Sequence, residues 1–177
     1  MPGLRERLIW DAGAGALHDG PRRYLMMRPD VLMGAIHRLD GAAQAAMLDA
    51  LAASVCEHGA DSLRAYAEQV GGDAGALMAT TAQAAADLGW GQWALRCQES
   101  DLPASELHLT VRHSPFADGW RKASGKQATQ PVCAPIRGMF EALATQVLKA
   151  PAHVTECECN AQGAATCIFV ARARAGT

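Results

Sequence analysis

The sequence predicts an α+β fold: N-terminal helices packed on an antiparallel sheet of four to five strands, with two hairpins flanking a helix. Three observations carry this. Apolar residues recur at helical spacing between residues 29 and 88. The period then drops to two in Trp93–Gln98 and Glu106–Arg112. A second pair of extended runs, Ala152–Cys159 and Ala165–Arg172, follows one more helical stretch. Helices grouped ahead of strands, with no βαβ alternation, indicate helices segregated to one face of a sheet.

Taken in order, residues 1–20 form a glycine-containing lead-in with a short helix around Leu4–Trp10, and residues 21–177 form a single domain. Tyr24–Arg28 is a short apolar run before Pro29, and a residue preceding proline is pushed toward extended geometry, so a strand is expected. Pro29-Asp30 opens a helix, because proline fits the first turn and aspartate favours the positive end of the dipole. Leu32, Ile36 and Leu39 share its inner face before Gly41. A helix over 42–58 ends at Gly59, and a third over 60–70 ends at Gly71-Gly72. Asp73 caps a fourth, with Leu77, Thr81, Ala84 and Leu88 in line.

The first hairpin pairs Trp93, Leu95 and Cys97 with Leu107, Leu109 and Val111 on one buried face, across the polar connection Glu99–Ser105. Ser114–Gln130, rich in small and polar residues around Phe116 and Trp120, reads as a long loop or a loop with a short helix, and loops of that length are often functional. A helix over 134–149 carries Ile136, Phe140, Leu143 and Val147, and the second hairpin turns through Asn160–Gly163.

Composition excludes several classes. Lys plus Arg number 16 against 18 Asp plus Glu, for a formal charge of −2. With no basic run and no basic helix-turn-helix pattern, nucleic acid is not an expected partner. No apolar run approaches the roughly 18 to 20 residues that span a bilayer. The N-terminus lacks a signal-peptide pattern, so a cytoplasmic address is the default expectation. Six cysteines in that setting point to thiols or metal ligands before disulfides. Cys56 and Cys97 read as buried small hydrophobes. Hydride chemistry lacks its cofactor motif: Gly89-Trp90-Gly91 has neither the length nor the context of a dinucleotide fingerprint.

Chemistry concentrates between Cys133 and Cys167. Cys133 precedes a helix, and ECECNAQGAATC places Glu156, Cys157, Glu158, Cys159 and Cys167 about a hairpin turn. Thiolates with a carboxylate suit tetrahedral Zn²⁺, and four protein ligands close the shell. Spacing leaves the fourth ligand open. Cys157 and Cys159 share a face of a regular strand, whereas Glu156 and Cys159 share one only across a bulge. A Cys₄ set of Cys133, Cys157, Cys159 and Cys167 therefore stands beside a Cys₃Glu set.

Cys133, Glu156-x-x-Cys159, Gly163 and Cys167 together resemble the signature of the 4-vinyl reductase domain family, shared by the phenol-sensing domains of certain bacterial transcriptional activators. Gly138 and Cys167-Ile168-Phe169-Val170 extend the resemblance, and GADSLRAYA at Gly59–Ala67 is similar to the family more loosely. The resemblance implies a structural zinc on Cys133, Glu156, Cys159 and Cys167. It implies a fold like that of a small vesicle-tethering-complex subunit, frequent homodimers, and an internal pocket for a small hydrophobic or aromatic ligand. No His–Trp pair stands where the phenol sensors hold the ligand hydroxyl, so those residues are not carried over. By local chemistry, Trp93, His113, Phe116 and Trp120 are the candidates to line a pocket beside the long loop.

The expected function is a non-enzymatic binding or sensing module that passes its signal to a downstream protein or carries its ligand. An accessory role in a tetrapyrrole pathway of the 4-vinyl reductase kind, or an assembly scaffold, are the alternatives.

Overall fold

The computed structural model describes residues 3–98 and 106–174. The Glu99–Ser105 connection lies outside the described residues. Among these, the order is α1 (Leu4–Arg7), β1 (Ile9–Asp11), β2 (Ala16–Asp19), β3 (Arg22–Tyr24), α2 (Pro29–His37), α3 (Gly41–Gln69), α4 (Ala74–Asp87), β4 (Gln92–Gln98), β5 (Glu106–Arg112), α5 (Pro115–Ser124), α6 (Ala134–Leu148), β6 (Ala152–Glu158) and β7 (Cys167–Ala173). The α+β architecture is the one the periodicities predict.

The main sheet has the strand order β4-β5-β7-β6, antiparallel throughout. The two hairpins are thus joined edge to edge through β5 and β7, with Leu109 opposite Phe169 and Val111 opposite Cys167. Alternation puts Leu107, Leu109, Val111, Phe169, Ala171 and Val154 on one face, where all are nearly inaccessible. Helix α6 covers this face with Ile136, Phe140 and Leu143, all fully buried. The Phe140 and Phe169 rings meet edge to face, centroids 6.5 Å apart. Helix α3 then packs on α6, and Gly138 makes the approach close enough that a Cβ there would lie 2.1 Å from the Ala52 carbonyl oxygen.

Three elements differ from expectation. The two helices foreseen over 42–58 and 60–70 are one, α3, capped at its start by Asp40, whose side chain accepts from the Ala43 amide at 2.9 Å. Gly59 does not stop it. A mid-helix glycine costs about 1 kcal/mol relative to alanine. Here its bare Cα makes room for Met139 of α6, whose Cε would sit 2.8 Å from an added Cβ. The stop comes at Gly71 and Gly72, with φ of 64° and 77°, as read from the sequence. Second, the Ser114–Gln130 segment contains a full helix, α5, whose Phe116, Ala117, Gly119 and Trp120 are buried against neighbours including α2. The signal was the Ser114-Pro115 start: the serine accepts from the Ala117 amide as N-cap, and proline occupies the first turn. Third, residues 9–24, spanning much of the expected lead-in, form a three-stranded antiparallel sheet β1-β2-β3, so the strand foreseen at Tyr24–Arg28 is centred earlier. Beside it the surface is apolar: Ile9, Trp10, Leu25, Met26 and Val31 are all more than half exposed. No helix of the described residues is long and apolar enough to cross a membrane.

Candidate metal centre and binding cavity

Four side chains from three elements converge under the β6–β7 hairpin. Cys133 is the residue before α6, Glu156 lies on β6, Cys159 follows that strand, and Cys167 opens β7. Their ligand atoms all lie within 4.8 Å of one another. The three cysteines are at most 1% exposed and Glu156 is 9% exposed. The register between β6 and β7 shifts between Glu156 and Glu158, which is the bulge that a Cys₃Glu set requires. The extra residue, Cys157, is turned out to solvent, its Sγ 3.8 Å from the Thr155 carbonyl oxygen.

The donor set fits a tetrahedral zinc. Cys133 Sγ is 3.6 Å from Cys167 Sγ and 3.9 Å from Cys159 Sγ. Both separations far exceed a disulfide of about 2.0 Å. Zn–S bonds of about 2.3 Å place tetrahedral sulfurs about 3.8 Å apart. Glu156 supplies the clearest sign. Its Oε2 accepts the Cys133 amide at 3.1 Å, while Oε1 is buried with no hydrogen-bond partner. Buried carboxylate oxygens are rarely left orphaned, and a cation is the partner this one fits. The electrostatics agree. Burial, reinforced by Cys159, pushes the Glu156 carboxyl up to about 9. Hydrogen bonding with Cys159 and Cys167, together with burial, pushes the Cys133 thiol up, whereas the same sulfur contacts and the Asn160 amide draw Cys167 down to about 4. Four acidic groups in one buried cluster do not ionise together unless positive charge joins them.

The surroundings orient the sulfurs. The Asn160 amide donates to Cys167 Sγ at 3.3 Å. Ser114 Oγ lies 3.1 Å from Cys133 Sγ and accepts from the Ala117 amide at 3.4 Å, which leaves its proton for the sulfur. Ser114, 2% exposed, escaped the sequence reading because nineteen positions separate it from Cys133. Outer partners of this kind typically change metal affinity about 10- to 100-fold. Ser114→Ala is expected to keep the metal but to lower affinity by about tenfold, with a shift of the thiolate-to-metal band in the cobalt-substituted protein. An unchanged band and affinity would contradict that role. The two ligand sets also separate experimentally. Cys157→Ser is expected to retain its zinc stoichiometry and Glu156→Ala to lose most of it; the reverse pattern in metal analysis would establish the Cys₄ set.

The aromatic candidates are distributed differently. Trp93 is buried on β4 and its Nε1 donates to the Trp90 carbonyl at 3.2 Å. Phe116 is buried edge-on against Trp90, with centroids 5.5 Å apart. Trp120 is buried against His37, with centroids 5.0 Å apart. His113 is exposed at the end of β5, with φ of 58°. Trp93 and Phe116 therefore meet through Trp90, while Trp120 packs on α2. A cavity of 440 Å³ lies elsewhere, among α3, α4, α6 and β3, with an apolar wall of Leu63, Ala84, Ala85, Leu88, Trp90 and Met139. Its volume is in the range of small-molecule sites. None of the four aromatic candidates lines it. Trp90, weighed in the sequence only as part of Gly89-Trp90-Gly91, is the tryptophan that lines it.

Comparison with known proteins agrees with this fold. The model of the 4-vinyl reductase domain family matches residues 107–173. The crystal structure of the phenol-responsive sensory domain of the transcription activator PoxR with phenol superposes with a TM-score of 0.78 at 15% identity, covering 96% of this chain and 86% of that one. A trafficking protein particle complex subunit 3 from Naegleria fowleri, covalently bound to palmitic acid, gives 0.50 at 14% identity over 83% of this chain and 95% of its own. A vinyl-4-reductase family protein from Methanocaldococcus jannaschii gives 0.46 at 14% identity, over 84% and 96%. No curated protein matches the sequence. At these identities the first two of these likenesses are likenesses of fold. All four clustered metal-capable side chains fall within the segment that the family model matches, residues 107–173.

Proposed function

We propose that the chain is a non-enzymatic small-molecule-binding or sensing domain that takes a hydrophobic or aromatic ligand and is held together by a structural zinc. The observation that carries the reading is the 440 Å³ cavity, whose wall is mainly apolar and includes the Trp90 indole. The fold is that of the PoxR domain, whose crystal structure contains phenol, and the trafficking subunit of related fold carries palmitic acid.

Cys133, Glu156, Cys159 and Cys167 would hold the zinc. With its shell filled by anionic donors, the ion would be a poor Lewis acid and a good crosslink. It would fasten the start of α6 to the β6–β7 hairpin, and α6 in turn supplies Met139 to the cavity wall. A homodimer is part of the proposal. Trp10, Leu25 and Met26 are exposed and line one groove beside β3, which a second copy would cover. The bound state is then passed to a downstream protein.

Native mass spectrometry of the purified chain tests these points together. The expected result is a dimer with one zinc per chain and an added small-molecule mass that is lost in Ala84→Trp, which fills the cavity. An added mass that persists in that variant would place the ligand elsewhere. A visible absorbance band would indicate a tetrapyrrole instead.

A further inference from the structure

We infer that the cavity takes an amphiphilic carboxylate, its apolar body against Leu88, Trp90 and Met139 and its head at Arg22. This rests on the reading of the cavity as the binding site and specifies its occupant.

The lining is chemically divided. One part is aliphatic and aromatic. The other brings in Arg22, Arg23 and Tyr24 from β3 and His58 from α3. Arg22 is half-buried, a position in which a guanidinium gains from an anionic partner. Among the described residues no carboxylate pairs with Arg22 or Arg23. The two acids on this side are already engaged. Asp19, across the β2–β3 turn, receives both Arg7 Nε and an Arg7 terminal nitrogen at 3.1 Å. Asp61, on the cavity lining, is paired with Arg64. The charge on half-buried Arg22 is therefore left for a group from outside the chain. A guanidinium presents parallel N–H donors that match a planar carboxylate. Tyr24, half-buried beside Arg22, adds a neutral hydroxyl, because burial raises its pKa above the usual phenol value. A neutral aromatic would satisfy the apolar wall and leave the arginines as they are; a carboxylate on an apolar chain satisfies both.

The test compares sodium decanoate with 1-decanol on the zinc-loaded chain, by calorimetry and by tryptophan fluorescence. Decanoate is expected to bind about tenfold or more tightly than decanol, a difference of about 1.4 kcal/mol. The double variant Arg22→Gln/Arg23→Gln should bring decanoate down to the level of decanol and leave decanol unchanged. Equal binding of the two probes by the unmodified chain, or a preference for decanoate that survives the double variant, would overturn the carboxylate assignment and leave the cavity reading in place. Failure of both probes to bind, or decanoate binding that survives Ala84→Trp, would overturn the cavity reading and this inference with it.

Discussion

Chains carrying Cys159→Ala or Cys167→Ala are expected to emerge without zinc and without a stable fold. Each substitution removes one buried sulfur from a cluster whose members come from α6, β6 and β7, and leaves the others as unpaired buried acids. Structural zinc contributes roughly 10–16 kcal/mol of apparent binding free energy in small zinc domains. A natural domain has a net stability of only about 5–15 kcal/mol. Losing the ion is therefore comparable with losing the fold, and the same result should follow when a strong chelator strips the unmodified chain. Metal analysis with circular dichroism and solubility measures it. A folded, zinc-loaded Cys159→Ala chain would defeat the claim, and a folded, zinc-free one would show that the sheet and α6 hold without the crosslink.

The second large effect is expected at Gly138. In Gly138→Ala the new methyl would stand 2.1 Å from the Ala52 oxygen and 2.9 Å from its carbonyl carbon. Both are backbone atoms in the interior of α3, so no side chain can swing aside. The helices must separate, and the contacts of Ile136 and Phe140 with the sheet are disturbed with them. Overpacking of this kind costs about 3 kcal/mol or more. In a chain of this size that lowers Tm by about 6–12 °C. Gly41→Ala is the control, because nothing lies within 4 Å of its added Cβ. Thermal melts of zinc-loaded proteins should show Gly138→Ala well below the unmodified chain and Gly41→Ala close to it. Coincident melts for Gly138→Ala would mean that the two helices part without cost.

The sheet and the cysteines were legible because their signals are local. Period-two alternation in Glu106–Arg112 and the spacing of Cys159 and Cys167 are visible within a dozen residues. The choice between Glu156 and Cys157 was not legible, because a bulge is a property of two paired strands and only the β6–β7 register reveals it. Gly59 misled for the same reason. As a local signal it ends a helix, and its use, a seat for Met139, depends on a residue far along the chain. The cavity was the least legible feature. Its wall is assembled from β3, α3, α4, the Trp90 segment and α6, each contributing one to several side chains. Trp93 and Phe116 were conspicuous in sequence, yet their packing partner Trp90 is the one that reaches the cavity.

The unbroken run of α3 has a mechanical consequence. Twenty-nine residues make a rod of about 44 Å. Gly138 lets α6 bear on it at Ala52, nearer one end than the other. Beyond that contact, His58, Leu63 and Tyr66 form cavity wall; towards the other end, Gln44 reaches the Ile36 carbonyl at 3.4 Å and takes a hydrogen bond from Gln130 at 3.4 Å. Seated on α6 at Gly59 as well as at Ala52, an unbroken helix shifts as one body. The cavity wall at Leu63 and the two hydrogen bonds of Gln44 therefore belong to a single stiff element.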